Sequence, residues 1–176
     1  MTGKSETPLA ARLDAAPDRR LTLVIVPPPA PAQAAIVRQW AMRQTAAVAW
    51  AALTAADNHP PHFMETVIDA VRTIHPPVAA LDPSDGLDRA LTDLLNALLT
   101  LTRPSLLILE NYQVIESPAI HDAMGWALDY LPPPCRLLVI STSEPPIPNL
   151  ARLRVRRQLT ALRVHKQSGD VGPAGH

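Results

Sequence analysis

Residues 21–40, "LTLVIVPPPAPAQAAIVRQW", decide how the chain is read. Residues 21–26 form a continuous apolar run rich in β-branched side chains, the pattern of a strand buried on both faces. Prolines at 27, 28, 29 and 31 stop it, because each fixes its own φ and lacks an N–H. Residues 32–45 are alanine-rich, with Ile36, Val37, Trp40 and Ala41 at helical spacing. A strand, a short loop and a helix in that order place a helix N-terminus, a natural anion-binding position, at a strand end. Yet residues 27–34 hold no glycine, no lysine and no hydroxyl.

Outward from this stretch the pattern repeats. "AVAWAAL" (47–53) predicts a second strand, "ADNHPPHF" (56–63) a turn-rich loop, and residues 61–74 a helix opened by proline. "HPPVAALDPSDG" (75–86) is a loop. Residues 87–101 are a helix, with leucine at 87, 91, 94, 95, 98 and 101. "SLLILE" (105–110) is a buried strand ending in an acid, and residues 117–130 a helix with Ser117 as N-cap and Pro118 at its first position. "CRLLVIST" (135–142) is a further strand, and "NLARLRVRRQLTALRV" (149–164) a short helix and a last strand. Strands alternating with helices predict an α/β fold with a parallel sheet and helices on both faces. In such sheets ligands bind beyond the carboxyl ends of the strands, which here present Pro27, Glu110, Ser141 and Thr142.

Composition limits the function classes. A chain of 176 residues suits one domain. Its 16 basic and 16 acidic residues cancel, so no global attraction to nucleic acid or anionic membrane follows. One cysteine excludes an internal disulfide and fits a reducing cytoplasm. The first residues lack the apolar segment of a signal peptide, and no apolar run reaches membrane-spanning length. Residues 1–18 read as a flexible polar lead-in, 19–164 as one domain and 165–176 as a polar tail.

Several side chains have both a chemical and a plain reading. Asp57, His59 and His62 are ligand types, but their spacing matches no zinc pattern; a polar turn is the alternative. Cys135 has no base beside it in sequence and reads as a buried thiol at a strand start. Arg152, Arg154, Arg156, Arg157, Arg163 and Lys166 could meet phosphates. With one Phe, two Tyr and three Trp in the chain, base stacking has little to draw on, and a solvated or partner-facing segment is the other reading. The leucines of residues 87–101 are core.

The order of these segments resembles the nucleotide-binding domain of MalT-type signal-transducing ATPases (the STAND class), found in large LuxR-family transcriptional regulators. "LTLVIV" with "IVRQW" resembles the strand and helix around that family's phosphate loop. "AVAWAALTAADNHPPHF" resembles its second strand and acidic turn, "SLLILENYQVIESPAIHDAM" its Walker B strand and following helix, and "LLVISTSEPPIPNLARLRVRRQL" its sensor strand and arginine-rich segment. The resemblance implies a P-loop NTPase-like fold. It carries the first loop position onto Pro27, the glycine before the lysine onto Ala32, the lysine onto Gln33 and the magnesium-binding hydroxyl onto Ala34. The Walker B acid pair falls on Glu110 and Asn111, and a sensor arginine on Thr142.

A phosphate loop needs glycines to aim backbone N–H groups, a lysine for the β and γ charges and a hydroxyl for magnesium. None of these residue types stands at those positions. The expectation is therefore a pseudo-ATPase with no catalytic residue, no metal site and no cofactor, acting as an interaction or scaffold module. The alternatives are a working switch that binds ATP and magnesium, and a gene fragment without a function of its own. The expected partner is a protein or the family's downstream domains, with no membrane and no direct DNA contact, since no DNA-reading motif is present.

Overall fold

A computed structural model describes residues 8–165. Five strands, β1 (Leu21–Ile25), β2 (Ala47–Ala52), β3 (Ser105–Glu110), β4 (Cys135–Ser141) and β5 (Leu159–Arg163), form one sheet in the order β2-β3-β4-β1-β5. Every pairing is parallel. The helices are α1 (Leu9–Ala15), α2 (Pro31–Met42), α3 (Pro60–Arg72), α4 (Leu87–Leu98), α5 (Pro118–Tyr130) and α6 (Leu150–Val155), with short 3-10 turns at Ala55–Asn58, Pro76–Ala80 and Tyr112–Val114. This is the α/β, P-loop NTPase-like arrangement expected from the sequence. Among the described residues no helix is long and apolar enough to cross a membrane.

The period-two alternation of a strand sorts the core into two layers. Leu21, Leu23 and Ile25 of β1, Leu107 and Leu109 of β3, and Leu137 and Val139 of β4 pack beneath α3, α4 and α5. Val24, Leu106, Ile108, Leu138 and Ile140 point the other way, onto α1 and α2. Both faces of the three central strands are covered, which is why these segments read as unbroken apolar runs. In α4, Leu91, Leu94, Leu95 and Leu98 are buried, each contributing roughly 1.5–3 kcal/mol by leaving water. Gly86, the residue before α4, has φ 92°, a backbone state that glycine adopts without strain.

Two expectations are corrected. The sequence reads residues 1–18 as a flexible polar lead-in, but α1 lies within them: Leu9 and Leu13, one turn apart, are buried against Val37, Trp40 and Ala41 of α2. The Trp40 indole N–H also donates to Asp14 Oδ1 at 3.0 Å. Two apolar residues in a polar stretch are a weak sequence signal, and the helix exists because α2 offers it a partner face. Ser117 does occupy the N-cap of α5, but its side chain makes no capping bond. Asn58 instead holds the residues that lead into the helix, taking the N–H groups of Glu116 and Ser117 on Oδ1. The tail lies outside the described residues from Lys166 onward.

Candidate functional site

The sheet order sets β1 beside β4 and β4 beside β3, so the carboxyl ends of these strands form one rim. The Val26 N–H donates to the Ser141 carbonyl at 2.9 Å, which brings Pro27 next to Thr142. The Thr142 N–H in turn donates to Gln113 Oε1 at 3.3 Å. Pro27, the first turn of α2, Thr142 and Glu110 thus gather at one end of the sheet, as the sequence predicts.

The first turn of α2 has few donors to offer a ligand. Pro31 opens the helix and has no N–H. The N–H groups of Gln33 and Ala34 both point back to the Ala30 carbonyl, each at 3.1 Å. Ala34 is buried at 5% exposure, and Ala30 makes no side-chain cap.

Glu110 is held from two sides. β2 and β3 pair with Trp50 opposite Ile108 and Ala52 opposite Glu110, so Trp50 and Glu110 are diagonal neighbours on one face. The Trp50 indole N–H donates to Glu110 Oε2 at 2.7 Å. Arg38, one turn beyond Ala34 on α2, reaches the same oxygen at 3.4 Å. Its guanidinium carbon sits 4.8 Å from the centre of the Trp50 ring, a cation–π arrangement. The Glu110 side chain is 14% exposed against 58% for Arg38, so the indole bond is the sheltered one. Next to it, Asn111 takes the left-handed conformation at φ 63°, ψ 37°, which asparagine tolerates better than most residues. Trp50, Arg38 and Gln113 were not singled out from the sequence. The signal for Trp50 was its parity with Glu110 across a parallel pair, which needs the register to be known.

The remaining candidates have local roles. Asp57 is 1% exposed and accepts hydrogen bonds from the Thr54 N–H (2.7 Å) and Thr66 hydroxyl (2.6 Å), with His62 Nδ1 at 2.9 Å. Burial pushes its pKa up, and the bonds from Thr66, Thr54 and His62 outweigh that, leaving it below the usual carboxylate range. The cluster is a capped turn, with Asp57 closing the box on Thr54. Burial raises the Cys135 thiol to about 11 despite the nearby Arg136 charge, so it is not a ready nucleophile. In the arginine-rich segment Arg152 pairs with Asp129, while Arg154 and Arg163 both pair with Glu144. Arg156 and Arg157 line a cleft of ≈ 550 Å³ with Arg19, Arg20 and Arg136, at the opposite, amino ends of the strands. Lys166 lies outside the described residues.

No family model matches the chain. Among curated proteins it is 30% identical over 158 residues to the HTH-type transcriptional regulator MalT of Cronobacter sakazakii, covering 86% of this chain and 17% of the relative. MalT of two Klebsiella pneumoniae strains matches with the same identity and coverage. The chain therefore spans about a sixth of the length of these relatives. Among solved structures, Drosophila ORC bound to GC-rich DNA and Cdc6 superimposes on 90% of this chain and 28% of its own, with TM-score 0.53 and 12% identity. Drosophila ORC bound to AT-rich DNA and Cdc6 gives TM-score 0.50 at 13% identity, over 90% of this chain and 28% of that one. At that identity the ORC likeness speaks to the fold alone. With the segment order and the parallel sheet, the MalT match places this chain with the N-terminal nucleotide-binding domains of the MalT-type regulators.

Proposed function

We propose that this chain is a MalT-type regulatory domain that keeps the P-loop NTPase-like fold but no longer binds or turns over nucleotide, and acts as a cytoplasmic interaction module. The observation that carries this reading is the first turn of α2. Pro31 has no N–H, Gln33 and Ala34 spend theirs on the Ala30 carbonyl, and Gln33 stands where the resemblance requires a lysine. A hydrogen bond to a charged group contributes about 1.5–3 kcal/mol, so losing the ammonium and two or three donors together removes most of the affinity for phosphate. The residues present do not fit ATP with magnesium either. Ala34 offers no hydroxyl, Asn111 is not a base, and the one remaining acid, Glu110, already holds an indole and a guanidinium.

Titration of the purified chain with ATP and magnesium by calorimetry tests the reading. Binding no tighter than roughly millimolar, with no hydrolysis above background, is the expected result. A micromolar dissociation constant, or turnover abolished by Glu110→Ala, overturns it. The same domain is expected not to read DNA itself. Arg152, Arg154 and Arg163 are already paired with carboxylates, so any duplex binding should be weak and vanish with modest salt. Sequence-selective retention at physiological salt would contradict that. Transcriptional control is a property of the longer relatives, and it comes to this chain only as part of this proposal.

A further inference from the structure

The outer surface of α4 and α5 takes no part in the candidate nucleotide site, and only Ala123 at its floor belongs to the core. Between the two helices runs a groove of ≈ 710 Å³, lined by Asp88 and Thr92 of α4 and by Ala119, Asp122, Ala123 and Trp126 of α5. Asp122, Trp126 and Tyr130 follow one another at intervals of four residues and therefore form a stripe along α5. Trp126 is 40% exposed and Tyr130 62%, with ring centres 5.0 Å apart. Large aromatic rings left in water beside a groove mark an interaction surface more often than scattered aliphatic residues do.

Charge says what fits there. α4 and α5 carry Asp88, Asp93, Asp122 and Asp129 against a single cation, Arg89. Arg89 lies between Asp85 and Asp93, at 4.0 and 3.7 Å, and Asp129 is taken by Arg152. Among the described residues Asp88 and Asp122 make no ion pair, and both line the groove. In a chain of zero net charge this negative face is a local feature.

We propose that the groove docks an amphipathic helix of a partner protein, one that presents arginine or lysine beside aliphatic side chains. The cation meets Asp88, Asp122 and the face of Trp126, where carboxylate and ring quadrupole attract it together. The aliphatic side chains settle over Ala119 and Ala123, whose small size lets a second helix approach closely. A second copy of this chain is the poorer occupant, because its own cationic helix, α6, has Arg152 and Arg154 already paired. This proposal deepens the interaction-module reading and gives that module a surface, without depending on whether nucleotide binds.

The probe is a synthetic helical peptide with leucines at i, i+3, i+4 and i+7 flanked by arginines, titrated against the full chain by fluorescence anisotropy. The expected dissociation constant is on the order of micromolar. Asp88→Asn with Asp122→Asn should weaken it about tenfold or more, as should Trp126→Ala, and the same peptide with glutamate for arginine should not bind. The two Asn variants sit on exposed positions and leave the fold intact, so the test does not rest on Trp126 alone. Binding that ignores the peptide's charge, or that the Asn pair leaves unchanged, overturns the proposal. So do dimers in sedimentation that Trp126→Ala dissolves, since the occupant is then a second copy. ATP calorimetry on the same sample is read separately: tight ATP binding with peptide capture intact sinks the nucleotide reading alone, and lost capture without ATP binding sinks the groove alone.

Discussion

Asn58 and Glu116 lie 58 residues apart in the chain, yet Asn58 Oδ1 accepts the Glu116 N–H at 2.6 Å. The same oxygen takes the Ser117 N–H at 3.2 Å, and the Asn58 amide donates to the Val114 carbonyl at 2.7 Å. One side chain on the turn after β2 thus closes the loop that follows the acid-bearing strand and fixes the two residues that lead into α5. Asn58→Ala leaves two N–H groups and the carbonyls of Val114 and Ala55 without that partner, at a cost of roughly 2–4 kcal/mol. Asn58→Asp keeps the acceptor but not the donor and should recover part of the loss. Chemical unfolding of the three proteins measures this, and an alanine variant as stable as the parent would show that water replaces the bridge without cost.

The two contacts on Glu110 should differ in strength. Trp50→Phe keeps a ring beneath Arg38 but removes the N–H that Glu110 accepts in a sheltered position, and about 1–3 kcal/mol of stability goes with it. Arg38→Ala removes a guanidinium that is 58% exposed and hydrated, so the loss should be about 1 kcal/mol or less. Denaturation midpoints rank the two. Equal losses would mean that the ion pair holds the acid as firmly as the indole does.

His121 gives the fold a dependence on pH. It is buried at 6% exposure, with Nδ1 3.0 Å from the Tyr112 hydroxyl. Desolvation lowers its pKa below the ordinary 6.5, although a bond to the Ile115 carbonyl and the charge of Asp122 oppose the shift. A depressed pKa means that the unfolded chain takes up a proton before the folded one does. The stabilisation is therefore complete above about 6.5 and is lost as pH falls through the folded value. His121→Gln can still accept from Tyr112 but cannot titrate, so it should flatten the slope of stability on the acid side of 6.5. Asp57, also depressed, acts lower, below the usual carboxylate range, and leaves that window clear. Unfolding curves from pH 8 down to pH 5 compare the two proteins, and an unchanged slope in the variant removes His121 as the cause.

Most of the fold was legible because the central strands are buried on both faces. Residues 21–26, 105–110 and 135–142 read as apolar runs for the same reason that Leu23 and Val24 pack on opposite helix layers. Pro118 marks its helix start as read; the helices read from residues 32 and 61 open one residue earlier, on Pro31 and Pro60, because a missing N–H is not needed there. What stayed illegible depends on pairing between distant elements. α1 needs the face of α2, the entry to α5 is tied by Asn58 from the turn after β2, and Glu110 meets Trp50 only once β2 and β3 are in register. The site's location could be read from strand ends alone. Its internal bonding could not, because Arg38 and Gln113 carry no motif.

The loop itself can be tested by rebuilding it. Gln33→Lys supplies one charge, but the N–H groups of Gln33 and Ala34 stay directed at the Ala30 carbonyl, and Pro31 still has none to give. The single substitution is therefore expected to leave nucleotide affinity where it was. Replacing residues 27–34 with a glycine-rich loop ending Gly-Lys-Thr restores backbone freedom, donors, lysine and hydroxyl at once. If β1 and α2 still frame a phosphate loop, affinity for ATP with magnesium should become measurable by calorimetry and by a ligand-dependent thermal shift. Hydrolysis need not return, because Asn111 is no base and Thr142 brings no charge. Tight binding by Gln33→Lys alone would show that the missing charge, and not the backbone, had silenced the site. A rebuilt loop that folds, carries all four features and still binds nothing would detach residues 21–40 from the phosphate-loop reading altogether.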